Sequence, residues 1–208
     1  MPLRTVDISR ISSYDPPGVF TRIDPEVEAL IPRDSEIIDR VKGCVKFCHL
    51  LGVDKDRPIG DGDLKSRRKY LRAALAEFAS LDEAAQIDHA AGLIGSATTI
   101  LESTDPRLHV VRLLRHSNIH LKASRLEFTS HTATWDGPNG VERFEYLAIY
   151  AIDLAGSVAR TQQAERYSAH DLSEMTSWLE SEQTKWGIHH LILRTAELYV
   201  KELLEVTV

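Results

Sequence analysis

The sequence predicts a mainly α-helical fold broken by one β-hairpin, and three observations carry that expectation. From residue 34 onward, apolar side chains recur at helical spacing over most of the chain. That period gives way to alternation only around residues 126–146, on both sides of Asp136-Gly137-Pro138-Asn139-Gly140, a concentrated turn signal. Five of the eight prolines (Pro2, Pro16, Pro17, Pro25, Pro32) lie ahead of residue 34, where they discourage helix. At 208 residues the chain suits one domain with a substantial core. The expected division is an extended, proline-containing N-terminal arm over 1–33 and a single helical domain over 34–208, with the hairpin inserted at about 123–147.

The elements follow in order. Asp34-Ser35 supplies an N-cap, and Ile37, Ile38, Val41, Cys44, Val45, Cys48 and Leu51 form a helical stripe ending at Gly52. The next stretch holds Asp54, Asp56, Asp61 and Asp63, but an EF-hand is excluded because Lys65 stands where its glutamate must be. A second helix is expected over about 64–80, with Tyr70, Leu71, Ala74, Leu75 and Phe78 inward. Lys65, Arg67, Arg68, Lys69 and Arg72 would form its solvated basic face. Leu81-Asp82-Glu83 is expected to open a third helix reaching about residue 102, and Pro106 to start a fourth over 106–121. Beyond the hairpin we expect helix over about 146–166, then a helix capped by His170-Asp171 with Trp178 and Trp186 near its end. A last amphipathic helix follows Gly187, burying Ile188, Leu191, Ile192, Leu198, Tyr199 and Leu203.

Composition narrows the class. Apolar and charged shares of 43% and 27% are those of a folded, water-soluble domain rather than a disordered chain. No apolar run approaches the roughly 18 residues that span a bilayer, and Met1-Pro2-Leu3-Arg4 opens no apolar leader. The expectation is a cytoplasmic protein with no membrane partner. Cys44 and Cys48, four apart on a helix, read as two buried thiols rather than a disulfide or a metal pair.

One window departs from the rest. The chain carries a net charge of −6, yet residues 106–126 contain no Asp or Glu. They hold Arg107, Arg112, Arg115, Lys122 and Arg125, with His109, His116 and His120. A cationic island on an acidic protein points to a local anion site rather than to broad nucleic-acid coating. On a helix, Val110, Leu113, Leu114 and Leu121 share one face and Arg112, Arg115 and His116 the opposite one, turned toward solvent, a partner or a second copy.

Arg115-His116-Ser117-Asn118-Ile119-His120 has the Arg-x4-His form with a polar residue after the arginine. It resembles the signature of the HEPN (higher eukaryotes and prokaryotes nucleotide-binding) superfamily, and the helical outline from about residue 34 to 166 is similar to that family. The resemblance implies a HEPN-like helical bundle, here with the inserted hairpin and extra C-terminal helices, that works as a homodimer with two motifs meeting in one cleft. It implies a metal-independent endoribonuclease of a toxin or defence system, using no cofactor, with RNA as substrate and an antitoxin as a possible protein partner. Arg115 would hold the scissile phosphate, His120 would act as acid or base, and His116 would orient them or share the proton work. Arg112, Lys122 and Arg125 would offer further phosphate contacts. Arginine suits a phosphate through its planar fork of donors, and histidine suits proton transfer through its ordinary pKa of about 6.5. Lys122 stands where some family toxins have a modifiable tyrosine, which argues against that form of regulation.

Other readings compete. The same Arg/His face suits a non-catalytic module that binds a nucleotide or another anion. An acidic surface and a proline-containing arm suit a protein-interaction module, with Arg115 and His120 only bridging helices. His116 and His120 have zinc-ligand spacing but lack the zincin glutamate and a third ligand. His189-His190 reads as a surface pair, His89 as structural, and His131 as an accessory site residue.

Overall fold

The computed structural model describes residues 5–13, 22–52, 64–120, 127–137, 140–150, 152–159 and 164–205. It is mainly helical with one two-stranded antiparallel sheet, as the hydrophobic period predicts. A 3-10 helix over Ile8–Ser13 precedes α1 (Pro25–Leu30), α2 (Glu36–Leu51), α3 (Leu64–Ala90) and α4 (Pro106–His120). The hairpin β1 (Glu127–Gly137) and β2 (Gly140–Tyr150) follows, then α5 (Leu154–Val158), a 3-10 turn at Ala164–Arg166, α6 (Ala169–Trp186) and α7 (Ile188–Leu203).

The N-terminal segment is not extended throughout. Pro25 takes the first position of α1, where its missing N–H costs nothing, and Asp24 caps that helix by accepting from the Glu26 N–H at 2.8 Å. Val6, Ile11, Ile23, Val27 and Ile31 are all buried in the common core. Within the described residues this segment therefore lies against the helices.

α2 begins and ends where its sequence predicts. Ser35 caps it, accepting from the Ile38 N–H, and Gly52 closes it. α3 completes both ends of α2. Asp88 accepts from the Glu36 and Ile37 N–H groups at 2.8 and 3.0 Å, while Arg67 donates to the Leu51 and Gly52 carbonyls at 2.7 and 2.9 Å. Arg67 is only 4% exposed, so it departs from the solvated basic face expected for it, whereas Arg68, Lys69 and Arg72 are exposed.

Two expected helices are one. α3 runs unbroken through Ser80 and Leu81, because Leu71, Ala74, Leu75, Phe78, Leu81, Ala84 and Ala85 keep a single inward stripe across that point. It stops at Ala90, ahead of Gly92 at φ 73°, and residues 91–105 are not helical. Likewise helix does not resume at Tyr146. β2 continues to Tyr150, and among the described residues only the short α5 and a 3-10 turn follow before α6. α6 is capped by Ser168, with Asp171 completing the capping box, rather than by His170-Asp171.

The hairpin register pairs Glu127 with Tyr150 and Gly137 with Gly140. On the outer side of β2, the Gln183 amide of α6 accepts from the Ile149 N–H at 2.8 Å and donates to the Ile149 carbonyl at 2.6 Å. A side-chain amide thus takes the place of a neighbouring strand's peptide group. α7 lies at the centre of the fold, against α1, α2, α3, α4, α6 and β2. It enters through Gly187 at φ 82° and ψ 157°, a conformation open essentially to glycine. His189 (3% exposed) and His190 (0%) are buried in its first turn, which corrects their reading as a surface pair. Among the described residues, no helix is long and apolar enough to cross a membrane.

Candidate functional site

α4 positions the motif. Asp105, just ahead of Pro106, accepts from the Arg107 N–H and Nε at 2.9 Å each and from Nη2 at 2.5 Å, so backbone and guanidinium are fixed by one buried carboxylate. Leu108, Val110, Val111, Leu113 and Leu114 are buried. His109 is buried as well, with Nδ1 2.7 Å from the Tyr167 hydroxyl and Nε2 3.0 Å from the Ser103 carbonyl. Burial pushes its pKa down to about 4, outweighing the Ser103 carbonyl that favours the charged ring.

Arg112, Arg115 and His116 are half-buried and turn toward α3 rather than to open solvent. They line a cleft of about 400 Å³ with Ser80, Asp82, Glu83 and Gln86 of α3 and Thr99 and Leu101 of the following loop. Asp82, expected at the opening of a helix, is instead the hub of one wall. Its Oδ2 accepts from Arg112 Nη1, and its Oδ1 accepts from the Ile100 N–H at 2.7 Å. The Tyr199 hydroxyl of α7 lies 2.9 Å from Oδ1 and 2.7 Å from the Thr98 carbonyl, its one proton shared between them. Burial, followed by the nearby Asp82 charge, pushes the Tyr199 pKa up, so the phenol stays a neutral donor.

The cationic island is therefore unevenly matched. Arg107 is held by Asp105, and Arg112 is held by Asp82. Arg115 has no ion-pair partner among the described residues, and its buried Nε has no hydrogen-bond partner. The structure brings Arg112, Arg115 and His116 into one cleft. His120 ends α4, but its side chain, together with Lys122 and Arg125, lies outside the described residues. The sequence pattern does not mark Asp82, Glu83, Gln86 or Thr99 as lining this cleft. Nothing local marks them, because Asp82 meets Arg112 across 30 positions of chain.

The remaining candidates have structural surroundings. His131 Nε2 lies 2.6 Å from the Tyr150 hydroxyl, and its ring stacks on Tyr146 at 5.7 Å between centroids. His89 Nδ1 is 3.2 Å from the Ile94 carbonyl, in keeping with a structural role. Cys44 and Cys48 are buried free thiols whose pKa values burial pushes up, which keeps them protonated. Among the described residues no three His, Cys, Asp or Glu side chains group as a metal site. Comparisons with protein-family models, with curated proteins and with solved structures gave no match.

Proposed function

We propose that the cleft between α3 and α4 binds a phosphate of RNA and that the protein is a metal-independent endoribonuclease of HEPN type, active as a homodimer. The observation that carries this reading is Arg115. Its guanidinium lines a 400 Å³ cleft beside His116 and, unlike Arg107 and Arg112, has no carboxylate to satisfy it among the described residues. A half-buried guanidinium without a counter-anion is a natural seat for a phosphate oxygen.

In this reading Arg115 holds the scissile phosphate and stabilises the charge that develops on it. A histidine takes the 2′-hydroxyl proton as that oxygen attacks phosphorus, and a second proton goes to the departing 5′-oxygen. This leaves a 2′,3′-cyclic phosphate and a 5′-hydroxyl. His120 has the acid–base role and His116 orients or shares it. A partner copy supplies the second motif, which explains how a single cleft with few cations gathers enough donors for catalysis. Lys122 and Arg125 extend the phosphate contacts. A cytoplasmic toxin or defence effector restrained by an antitoxin fits that activity. The non-catalytic alternative, an anion-binding module, is favoured by one observation: Arg112 is already committed to Asp82.

The test is incubation of purified protein with mixed RNA in EDTA. Wild type is expected to cleave, leaving cyclic phosphate ends, and Arg115→Ala and His120→Ala variants to lose about 100-fold or more. Absence of cleavage by a folded, dimeric wild type, with anion binding retained, decides for the binding module.

A further inference from the structure

The cleft has carboxylates as well as cations, and their balance carries an inference that rests on the phosphate-binding reading above. Among the described residues of its lining, Arg112 and Arg115 bring two formal positive charges, and Asp82 and Glu83 bring two negative ones. With His116 neutral these cancel, and its protonation leaves a single positive charge. Asp82 cannot swing away to relieve the balance. Its Oδ1 is held by the Ile100 N–H and the Tyr199 hydroxyl, and Tyr199 is fully buried in α7. Its Oδ2 holds Arg112, in a pair only 22% and 16% exposed, so the negative charge stays fixed at the wall.

Beside whatever cations Lys122, Arg125 or a partner copy add, the Asp82 and Glu83 carboxylates disfavour a second negative charge on the ligand. An internal phosphodiester carries one, while a terminal phosphomonoester carries close to two above its second ionisation at about pH 6. We propose that Asp82 and Glu83 are specificity-determining residues, which admit the monoanionic phosphodiester within a strand and reject the dianionic phosphate at its end. The consequence for an RNA-cleaving site is that strand ends and free nucleotides do not compete with internal linkages, although both present phosphate to the same arginine.

Calorimetric titration at about pH 7.5 tests this, using a deoxydinucleotide with one internal phosphodiester and the matching nucleoside 5′-monophosphate. The deoxy form has no 2′-hydroxyl, so it is bound and not cleaved. Wild type is expected to favour the diester at least about tenfold, the effect of one uncompensated charge at partly screened short range. Asp82→Asn keeps an oxygen for the Ile100 N–H and Tyr199 but removes the charge, and is expected to bring the ratio down about tenfold. Glu83→Gln, at an exposed position that leaves folding untouched, is expected to lower it less. The second nucleoside is common to every variant, so its contribution cancels in the change of ratio. An unchanged ratio in both variants, or wild type favouring the monoester, overturns the inference. Binding of neither ligand by wild type, or full binding by Arg115→Ala, overturns the phosphate site itself.

Discussion

At the scale of single residues, the molecule distinguishes its arginines by what each is paired with. Arg107 and Asp105 form a nearly closed pair, with side chains 9% and 5% exposed. Removing the guanidinium strands a buried carboxylate, for which Arg10, 4.0 Å away and half exposed, is a poor substitute. Arg107→Ala is therefore expected to cost about 3 kcal/mol, read as a lower urea midpoint at unchanged slope. Arg115 is legible in the sequence as a candidate, because the Arg-x4-His spacing and the missing acids around it are local facts of sequence. Asp82 is not. Its meaning comes from Ile100, Arg112 and Tyr199, which only the folded chain brings to it.

At the scale of elements, α3 acts as the frame for α2, with Arg67 closing the carbonyl end and Asp88 the amide end. Asp88 is 1% exposed and serves two otherwise unpaired N–H groups. Asp88→Ala is expected to destabilise the protein by about 2 kcal/mol, with amide exchange quickened first at Glu36 and Ile37. The hairpin was readable because period-two alternation and strong turn residues agree. The unity of α3 was not, since Ser80-Leu81-Asp82 imitates a cap. The inward stripe through Phe78, Leu81 and Ala85 outweighs that local preference, because burying it against the core gains more than a cap would.

For the whole molecule, the three histidines buried among the described residues shape the response to acid. Burial pushes the pKa of His109 and His189 down to about 4 and that of His190 to about 3. His189 also faces His49 and Arg67, and His190 faces His189 and Arg194, which oppose protonation further. The unfolded chain takes up these protons as pH falls through about 6.5, whereas the folded protein refuses them until about 4. The stability these three contribute is thus full above about pH 6.5 and is lost as pH falls from there through about 4. Urea unfolding followed between pH 6.5 and 4 is expected to show a slope of about 2 or more protons taken up on unfolding. The sequence hid this, because paired histidines at a helix start resemble solvated ones until α7 is seen to be enclosed on every side.

The Gln183 amide at Ile149 has a bearing on how the protein associates with other copies. A two-stranded sheet has open flanks, and a free strand flank is a template on which other chains polymerise. Here the outward peptide groups of Ile149, at the end of the buried stretch of β2, are occupied by α6. Storage life then depends on how often α6 lifts away, which need not follow the global unfolding equilibrium. A sample can lose protein to fibrous association while its melting curve remains unaltered.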